Sequence, residues 1–252
     1  MPETLDPANH VKPYVCESLT AKALQFSISA IQSRMKLEDP YALDLAYTRT
    51  MMGFLLFHPA PRQIAMIGLG GGSLAKFCHR YLPAAQIQVV EINPHVIALR
   101  DEFHVPPDGE RFRVIHGDGA HYVRYPAARA DVLVVDGFDS DGLPSRLCSQ
   151  RFYDDCRAML QPGGVLVVNL HTGHRQVGRH VDRIHRSFDG AALVVDDGEL
   201  SNSIVFACKG RALDQAPAGI VRRPEGLDRA AANQLLGAFA LVGRALRDRR
   251  GA

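Results

Sequence analysis

The stretch Ile64-Ala65-Met66-Ile67-Gly68-Leu69-Gly70-Gly71-Gly72-Ser73-Leu74 limits what this chain can fold into more than any other. Its four leading apolar residues are too few for a helix and read as a buried parallel strand. Gly68 stops the strand, and Gly70, Gly71 and Gly72 follow. Glycine tolerates positive φ and admits a close approach to the main chain, so the run predicts a tight turn presenting N–H groups to a ligand. Leu74 to Tyr81 then reads as a helix whose unpaired first N–H groups face the same ligand. Strand, glycine turn and helix predict the first unit of a nucleotide-binding α/β sheet, with Gly68, Gly70 and Gly72 as candidate binding residues.

Two later stretches extend the pattern. Gln86 to Glu91 reads as a second strand ending in an acid, about twenty residues after the turn, where a carboxylate can accept both hydroxyls of a ribose. Val114-Ile115-His116-Gly117-Asp118-Gly119 reads as a third strand, and it sets Asp118 and Gly119 at the same sheet edge. One such acid alone is as well explained by a solvated strand end or a helix cap. Two at successive strand ends, after a glycine turn, predict an adenosine site.

Composition narrows the classes. A chain of 252 residues that is 46% hydrophobic can bury a full core in one large domain with a small appendage. A net charge of +2 gives no push towards nucleic acid or a membrane surface. No basic, then apolar, leader opens the sequence, and the apolar patch Met51 to Phe57 is too short to span a bilayer. The five cysteines (Cys16, Cys78, Cys148, Cys156, Cys208) are scattered without a CxxC and read as reduced thiols, so a cytoplasmic protein is expected.

In chain order, residues 1–10 read as a loose arm, and Tyr14 to Ile31 as a β-hairpin or small sheet. Tyr41 to Phe57 reads as a helix, and His58-Pro59-Ala60-Pro61 ends it. Asn93-Pro94 opens a helix to about Phe103, and Ala120 to Tyr125 is a short one. Asp131 to Asp136 is a fourth strand with an acid at its C-terminal end. Ser149 to Leu160 is a helix, Pro162-Gly163-Gly164 a turn, and Val165 to Asn169 a fifth strand. A helix over Arg175–Ser187 and strands near Ala192–Val195 and Ser203–Cys208 follow. Arg211 to Pro224 reads as a linker, and Leu227 to Arg249 as a final helix suited to docking on a neighbour. The expected fold is therefore α/β and Rossmann-like: a mostly parallel seven-stranded sheet with a closing antiparallel hairpin, plus a small N-terminal β-hairpin region. The expected divisions are 1–57 for the N-terminal hairpin region and helix, 58–210 for the nucleoside-binding catalytic domain, and 211–252 for the linker and last helix.

Ligands of open α/β sheets bind outside the carboxyl ends of the strands, where Glu91, Asp118, Asp136 and Asp139 fall. The loop Asp136-Gly137-Phe138-Asp139-Ser140-Asp141-Gly142-Leu143-Pro144 has the makings of a lid. A carboxylate there can bind an amine as the ammonium, or take its proton as it attacks carbon. Asp136, at the strand end, is the candidate for that work; Asp141 reads as a turn residue bonding its own backbone. His171 and His174 lack an evident third ligand, so no metal is expected. Arg175, Arg179, Arg183 and Arg186 read as a solvated helix face, and Ser73 has no evident base to make it a nucleophile.

Taken together, these residues resemble the spermidine synthase (polyamine aminopropyltransferase) family, which has the fold of class I S-adenosylmethionine-dependent methyltransferases with a small N-terminal β-domain. The resemblance covers roughly Cys16 to Gly210 and rests on His58-Pro59-Ala60-Pro61, Ile67 to Gly72, Val90-Glu91-Ile92, Gly117-Asp118-Gly119, Asp136-Gly137-Phe138-Asp139 and Phe152-Tyr153. It implies that Glu91 holds the ribose, Asp118 the adenine amino group, and Asp136 the attacking amine, with Asp139 catalytic beside it and helping to bind the diamine. It further implies that Gln32 lines the nucleoside pocket and that Tyr47 stands near the amine acceptor. Three departures stand out. Gly71 replaces an aspartate that grips the donor's amino group in the family, Phe138 makes the lid bulkier, and Asp196-Asp197-Gly198-Glu199-Leu200 does not match the family's substrate loop.

The expectation is a cytoplasmic, homodimeric transferase with no tightly bound cofactor, using decarboxylated S-adenosylmethionine or S-adenosylmethionine as co-substrate. It would move an aminopropyl group to an amine such as putrescine. The alternatives are an S-adenosylmethionine-dependent methyltransferase and a non-catalytic nucleoside-binding homologue. An NAD-dependent oxidoreductase fits less well, because the third glycine of G-x-G-x-x-G falls on Ser73.

Overall fold

Residues 5–27, 30–138, 142–172, 176–197, 199, 201–216 and 227–251 are described by the computed structural model. Near the N-terminus, β1 (Tyr14–Glu17), β2 (Ala21–Ser27) and β3 (Ala30–Lys36) form a separate antiparallel sheet, a full third strand beyond a hairpin. The main sheet comprises β4 (Gln63–Ile67), β5 (Gln86–Glu91), β6 (Phe112–His116), β7 (Ala130–Val135), β8 (Leu160–His171), β9 (Ala192–Asp196) and β10 (Asn202–Cys208). Its order is β6-β5-β4-β7-β8-β10-β9. The pairings from β6 to β8 are parallel, and β10 runs antiparallel to both its neighbours. The expected seven-stranded, mostly parallel sheet with a closing antiparallel hairpin is therefore present.

The apolar runs behave as their composition demands. Successive side chains of a strand point to opposite faces. Ile64, Met66, Val132, Val134, Val165 and Val167 enter one buried cluster, and Ala65, Ile67, Leu133, Val135, Leu166 and Val168 enter the other. Burying each such side chain is worth about 1.5–3 kcal/mol, so a sheet covered on both faces needs continuous apolar strands and not alternating ones. Among the described residues the helices are α1 (Ala46–Met51), α2 (Ser73–Tyr81), α3 (Pro94–Ile97), α4 (Gly119–Arg124), α5 (Gln150–Met159), α6 (Val177–Ser187), α7 (Ala212–Gln215) and α8 (Arg229–Gly251). Phe152, Tyr153 and Cys156 of α5 with Ile184 of α6 cover one face, and α1, α2 and α8 cover the other.

Four local expectations change. The helix foreseen over Tyr41–Phe57 shrinks to α1 and a 3-10 stretch, Met52–Leu56. Its first part is turn and bend, with Ala42 bonding the Asp39 carbonyl and Asp44 tied to Arg34 and Lys36 of β3. Its end tightens where Gly53 admits Phe206 and Val242, each 2.9 Å from where a Cβ would stand. After Asn93, regular helix lasts only through α3, since the next bonds, Leu99 to Val96 and Arg100 to Ile97, reach back three residues instead of four. Pro162-Gly163-Gly164 lies inside β8 as an irregularity: Gly163 adopts φ +81° and still bonds Lys209, which in turn bonds Gly164. Helix α8 packs on this chain's own core through Ala231, Leu235, Phe239, Val242 and Leu246. Part of the expected linker folds as α7, and residues 217–226 lie outside the described ones.

Candidate active site

Sheet order reverses between β4 and β7, and the carboxyl ends of those strands bound a pocket of about 380 Å³. At the end of β4, Gly68 bonds the Val90 carbonyl and adopts φ +95°. A Cβ there would collide with the Asp136 carbonyl, so the close approach of the two strand ends requires glycine. Gly70 (φ +52°) and Gly72 (φ +69°) carry the turn into α2, whose first residues Ser73, Leu74 and Ala75 line the pocket. The first N–H groups of a helix have no intrahelical acceptor, so this wall is rich in donors.

Glu91 ends β5 as expected and is 8% exposed. One carboxylate oxygen accepts the Leu69 N–H at 2.8 Å and the other the Asn93 N–H at 2.8 Å. Burial pushes its pKa above the ordinary value, and the backbone donors at Asn93 and Leu69 oppose that rise. Each oxygen keeps a lone pair for a further donor, so two vicinal hydroxyls are the partner this carboxylate suits.

Asp118 caps α4 by accepting from Ala120 at 2.7 Å and His121 at 3.3 Å. Its other oxygen stands 2.6 Å from Arg146 Nη2, an ion pair across the pocket that sequence spacing does not announce. Gly119, which follows, packs so closely on Ile67 that a Cβ would collide with it. Both Asp118 and Gly119 line the pocket, as do Gln32 and Tyr47.

Asp136 follows β7 at the pocket wall. Asn169 of β8 donates to its Oδ1 at 2.8 Å, and Tyr47 of α1 lies near it on the pocket wall, its hydroxyl donating to the Gln32 carbonyl at 3.3 Å. Burial raises the Asp136 pKa, whereas the bond from Asn169, the neighbouring Tyr47 hydroxyl and the charge of His171 hold it down. Burial, and then the neighbouring carboxylate, push the Tyr47 phenol well up, so it remains a donor. Behind Asp136, Asn169 is 2% exposed and accepts from Asn202 Nδ2 at 2.8 Å. These two asparagines, diagonal neighbours across β8 and β10 (Asn202 pairs with His171, Asn169 with Ile204), were missed in the sequence. No local pattern marks a partner 33 residues away.

The other candidates fall out plainly. Asp139 and Asp141 lie outside the described residues, as do His174 and Arg175. Phe138 packs edge-on against His171 with ring centroids 4.5 Å apart. Among the described residues no three His, Cys, Asp or Glu side chains are grouped to hold a metal ion. Arg179 and Arg186 are exposed, and Arg183 donates to the Cys148 carbonyl at 2.6 Å. Ser73 Oγ lies 3.5 Å from Ser33 Oγ. All five cysteines are free thiols. No helix among the described residues is long and apolar enough to cross a membrane.

Asn169 holds the carboxylate that faces the pocket, which makes it a positioning residue with a testable signature. Asn169→Ala removes a hydrogen bond to a charged group, worth about 1.5–3 kcal/mol, and turnover should fall about tenfold to hundredfold. That bond lowers the Asp136 pKa, so its loss should also move the acid limb of the pH–rate profile to higher pH. A stability loss with an unmoved acid limb would reduce Asn169 to packing.

Comparison with known proteins agrees with this geometry. The profile of the spermine/spermidine synthase domain matches residues 44–178. The polyamine aminopropyltransferase of Chromobacterium violaceum is 38% identical over 194 residues, 77% of this chain and 74% of that protein. A probable spermidine synthase from Corynebacterium glutamicum superposes with a TM-score of 0.66 at 20% identity, over 92% of both chains. A spermidine synthase in complex with the transition-state analogue AdoDATO superposes with a TM-score of 0.63 at 19% identity, over 90% of this chain and 84% of that one. The structural matches show the shared Rossmann-like fold, and the domain match with the 38% identical relative shows that the chain belongs to the spermine/spermidine synthase family of transferases.

Proposed function

We propose that this chain transfers an aminopropyl group from decarboxylated S-adenosylmethionine to a diamine such as putrescine, with Asp136 at the reacting nitrogen. The observation that carries the reading is the Asp136 carboxylate, held by Asn169 on the wall of the pocket that Glu91 also lines. In this reading Glu91 takes the ribose hydroxyls, Asp118 and Gly119 border the adenine, and Gly68, Gly70 and Gly72 let the donor lie against the main chain. Gln32 borders the nucleoside, and Tyr47 and Asp139 border the amine. The amine nitrogen attacks the methylene carbon beside the sulfonium. The new C–N bond forms as the C–S bond breaks, methylthioadenosine leaves with the bonding pair, and the amine's proton passes to Asp136. Sulfonium is already a good leaving group, so positioning and deprotonation are the enzyme's main contributions. No tightly bound cofactor enters the scheme. The five free thiols support a cytoplasmic location. Exposed Leu19, in the turn between β1 and β2, and exposed Ile31, on the edge strand β3, support a homodimer.

A second reading, methyl transfer from S-adenosylmethionine, is favoured by one observation. The space a side chain at Gly71 would need is filled by Ser33 and Phe103, whose atoms lie 2.7 and 2.8 Å from an added Cβ. The donor end of the pocket therefore carries two serine hydroxyls, on Ser33 and Ser73, in place of the family's carboxylate. Incubation with putrescine and each sulfonium donor, followed by mass spectrometry, separates the readings. Spermidine and methylthioadenosine from the decarboxylated donor support the first. A methylated product with S-adenosylhomocysteine would establish the second. Inertness with both donors and a broad amine panel would leave a nucleoside-binding homologue.

A further inference from the structure

We infer that the N-terminal arm is part of the nucleoside site: Asn9, His10 and Val11 close over the ribose beside Glu91, and His10 is a nucleoside-binding residue. The inference rests on the adenosine reading of the pocket. Composition predicts a loose arm here, yet the described part is folded and tied down. Asp6 caps a single 3-10 turn, Pro7–Asn9, by accepting the Ala8 N–H at 3.0 Å. Asn93 Nδ2 donates to the Val11 carbonyl at 2.9 Å, and His95 Nε2 lies 3.3 Å from the Pro7 carbonyl. Buried Pro13 then leads the chain into β1.

Both tethers come directly after Glu91, Asn93 as the cap of α3 and His95 in its first turn, so one short segment presents the carboxylate and holds the arm across it. Asn9, His10 and Val11 line the same pocket as Glu91 and Asn93. Two features set this wall apart from a segment packed for stability alone. Val11 remains 48% exposed although its backbone is fixed, which leaves an apolar side chain at the pocket rim to be covered when the pocket fills. His10 lines the pocket together with the buried Glu91 carboxylate, so it borders the hydroxyls that carboxylate would accept. The side-chain bonds that Asn93 and His95 make to the arm are ones that can break and re-form as the nucleoside product leaves.

Hydrogen exchange and calorimetry on the full chain with methylthioadenosine test this. Saturating methylthioadenosine should slow exchange in the peptide covering residues 5–12 by about fivefold or more. His10→Ala should weaken its affinity about tenfold, the scale of one good hydrogen bond. Lys12→Ala, on the same arm but outside the pocket, should bind as the parent does. Asn93→Ser keeps an oxygen to cap α3 while losing the Val11 tether, and it should release the nucleoside faster. Tight binding by the parent with unchanged exchange in the arm and an unaltered His10→Ala affinity would overturn the inference and leave the adenosine reading standing. No binding by the parent would overturn both.

Discussion

Replacing Asp136 by asparagine is expected to lower turnover by about two to four orders of magnitude, the range for general acid–base groups. The amide can still present its oxygen to Asn169 Nδ2, so the wall should keep its shape. What it loses is the charge that attracts an ammonium and the basicity that takes its proton. Methylthioadenosine affinity should stay within about twofold, because the nucleoside contacts are assigned to Glu91 and Asp118, away from this group. The pH dependence follows from the same environment. Burial raises the Asp136 pKa above its ordinary 3.8, and the working form is the carboxylate. Activity should therefore fall as pH drops through that raised value, placing the acid limb of kcat/KM above the ordinary carboxylate range. A near-normal turnover in Asp136→Asn would make the residue a loop cap and end the proposed mechanism.

The second large effect is on the fold. Gly68→Ala should destabilise the protein by about 2–4 kcal/mol, from a positive φ that alanine tolerates poorly and a new methyl group driven into the Asp136 carbonyl. For a chain of this size the melting temperature should drop by about 5–15 °C. The remaining folded population should also bind nucleoside poorly, since relief of the collision spreads β4 from β7 where the pocket begins. Gly142→Ala makes the comparison sharp, because Gly142 also has positive φ (+115°) but its added Cβ meets nothing within 4 Å. It should lose only the conformational part. Equal losses in the two variants would show that backbone strain, and not strand approach, decides the effect.

The parts of this architecture that are legible in the sequence are the ones encoded locally. An apolar run ended by glycine marks β4, and runs ended by acids mark β5 and β7. Because a parallel sheet aligns the carboxyl ends of its strands, locating the runs also brings Glu91, Asp118 and Asp136 to one edge. What escapes is encoded by pairing at a distance. Asn169 reads as the unremarked end of an apolar strand until the β8–β10 pairing brings Asn202 diagonally beside it, while it also bonds Asp136. Arg146 sits in a short turn with no period, and only the folded loop delivers it to Asp118. The arm reads as loose because its tethers are supplied by Asn93 and His95, more than eighty residues later. Local misreadings have the same origin. Proline and glycines at 162–164 resemble a turn, but Lys209 of the adjacent segment pairs with them and keeps them in the sheet.

The central claim is that one pocket holds the adenosine on Glu91 and the amine on Asp136. A crystal structure of the protein with methylthioadenosine and putrescine tests it most directly. The account predicts the ribose hydroxyls within hydrogen-bond distance of both Glu91 oxygens and one putrescine nitrogen on Asp136, facing the sulfur. A nucleoside bound elsewhere, or a ribose turned away from Glu91 with the amine remote from Asp136, would contradict it.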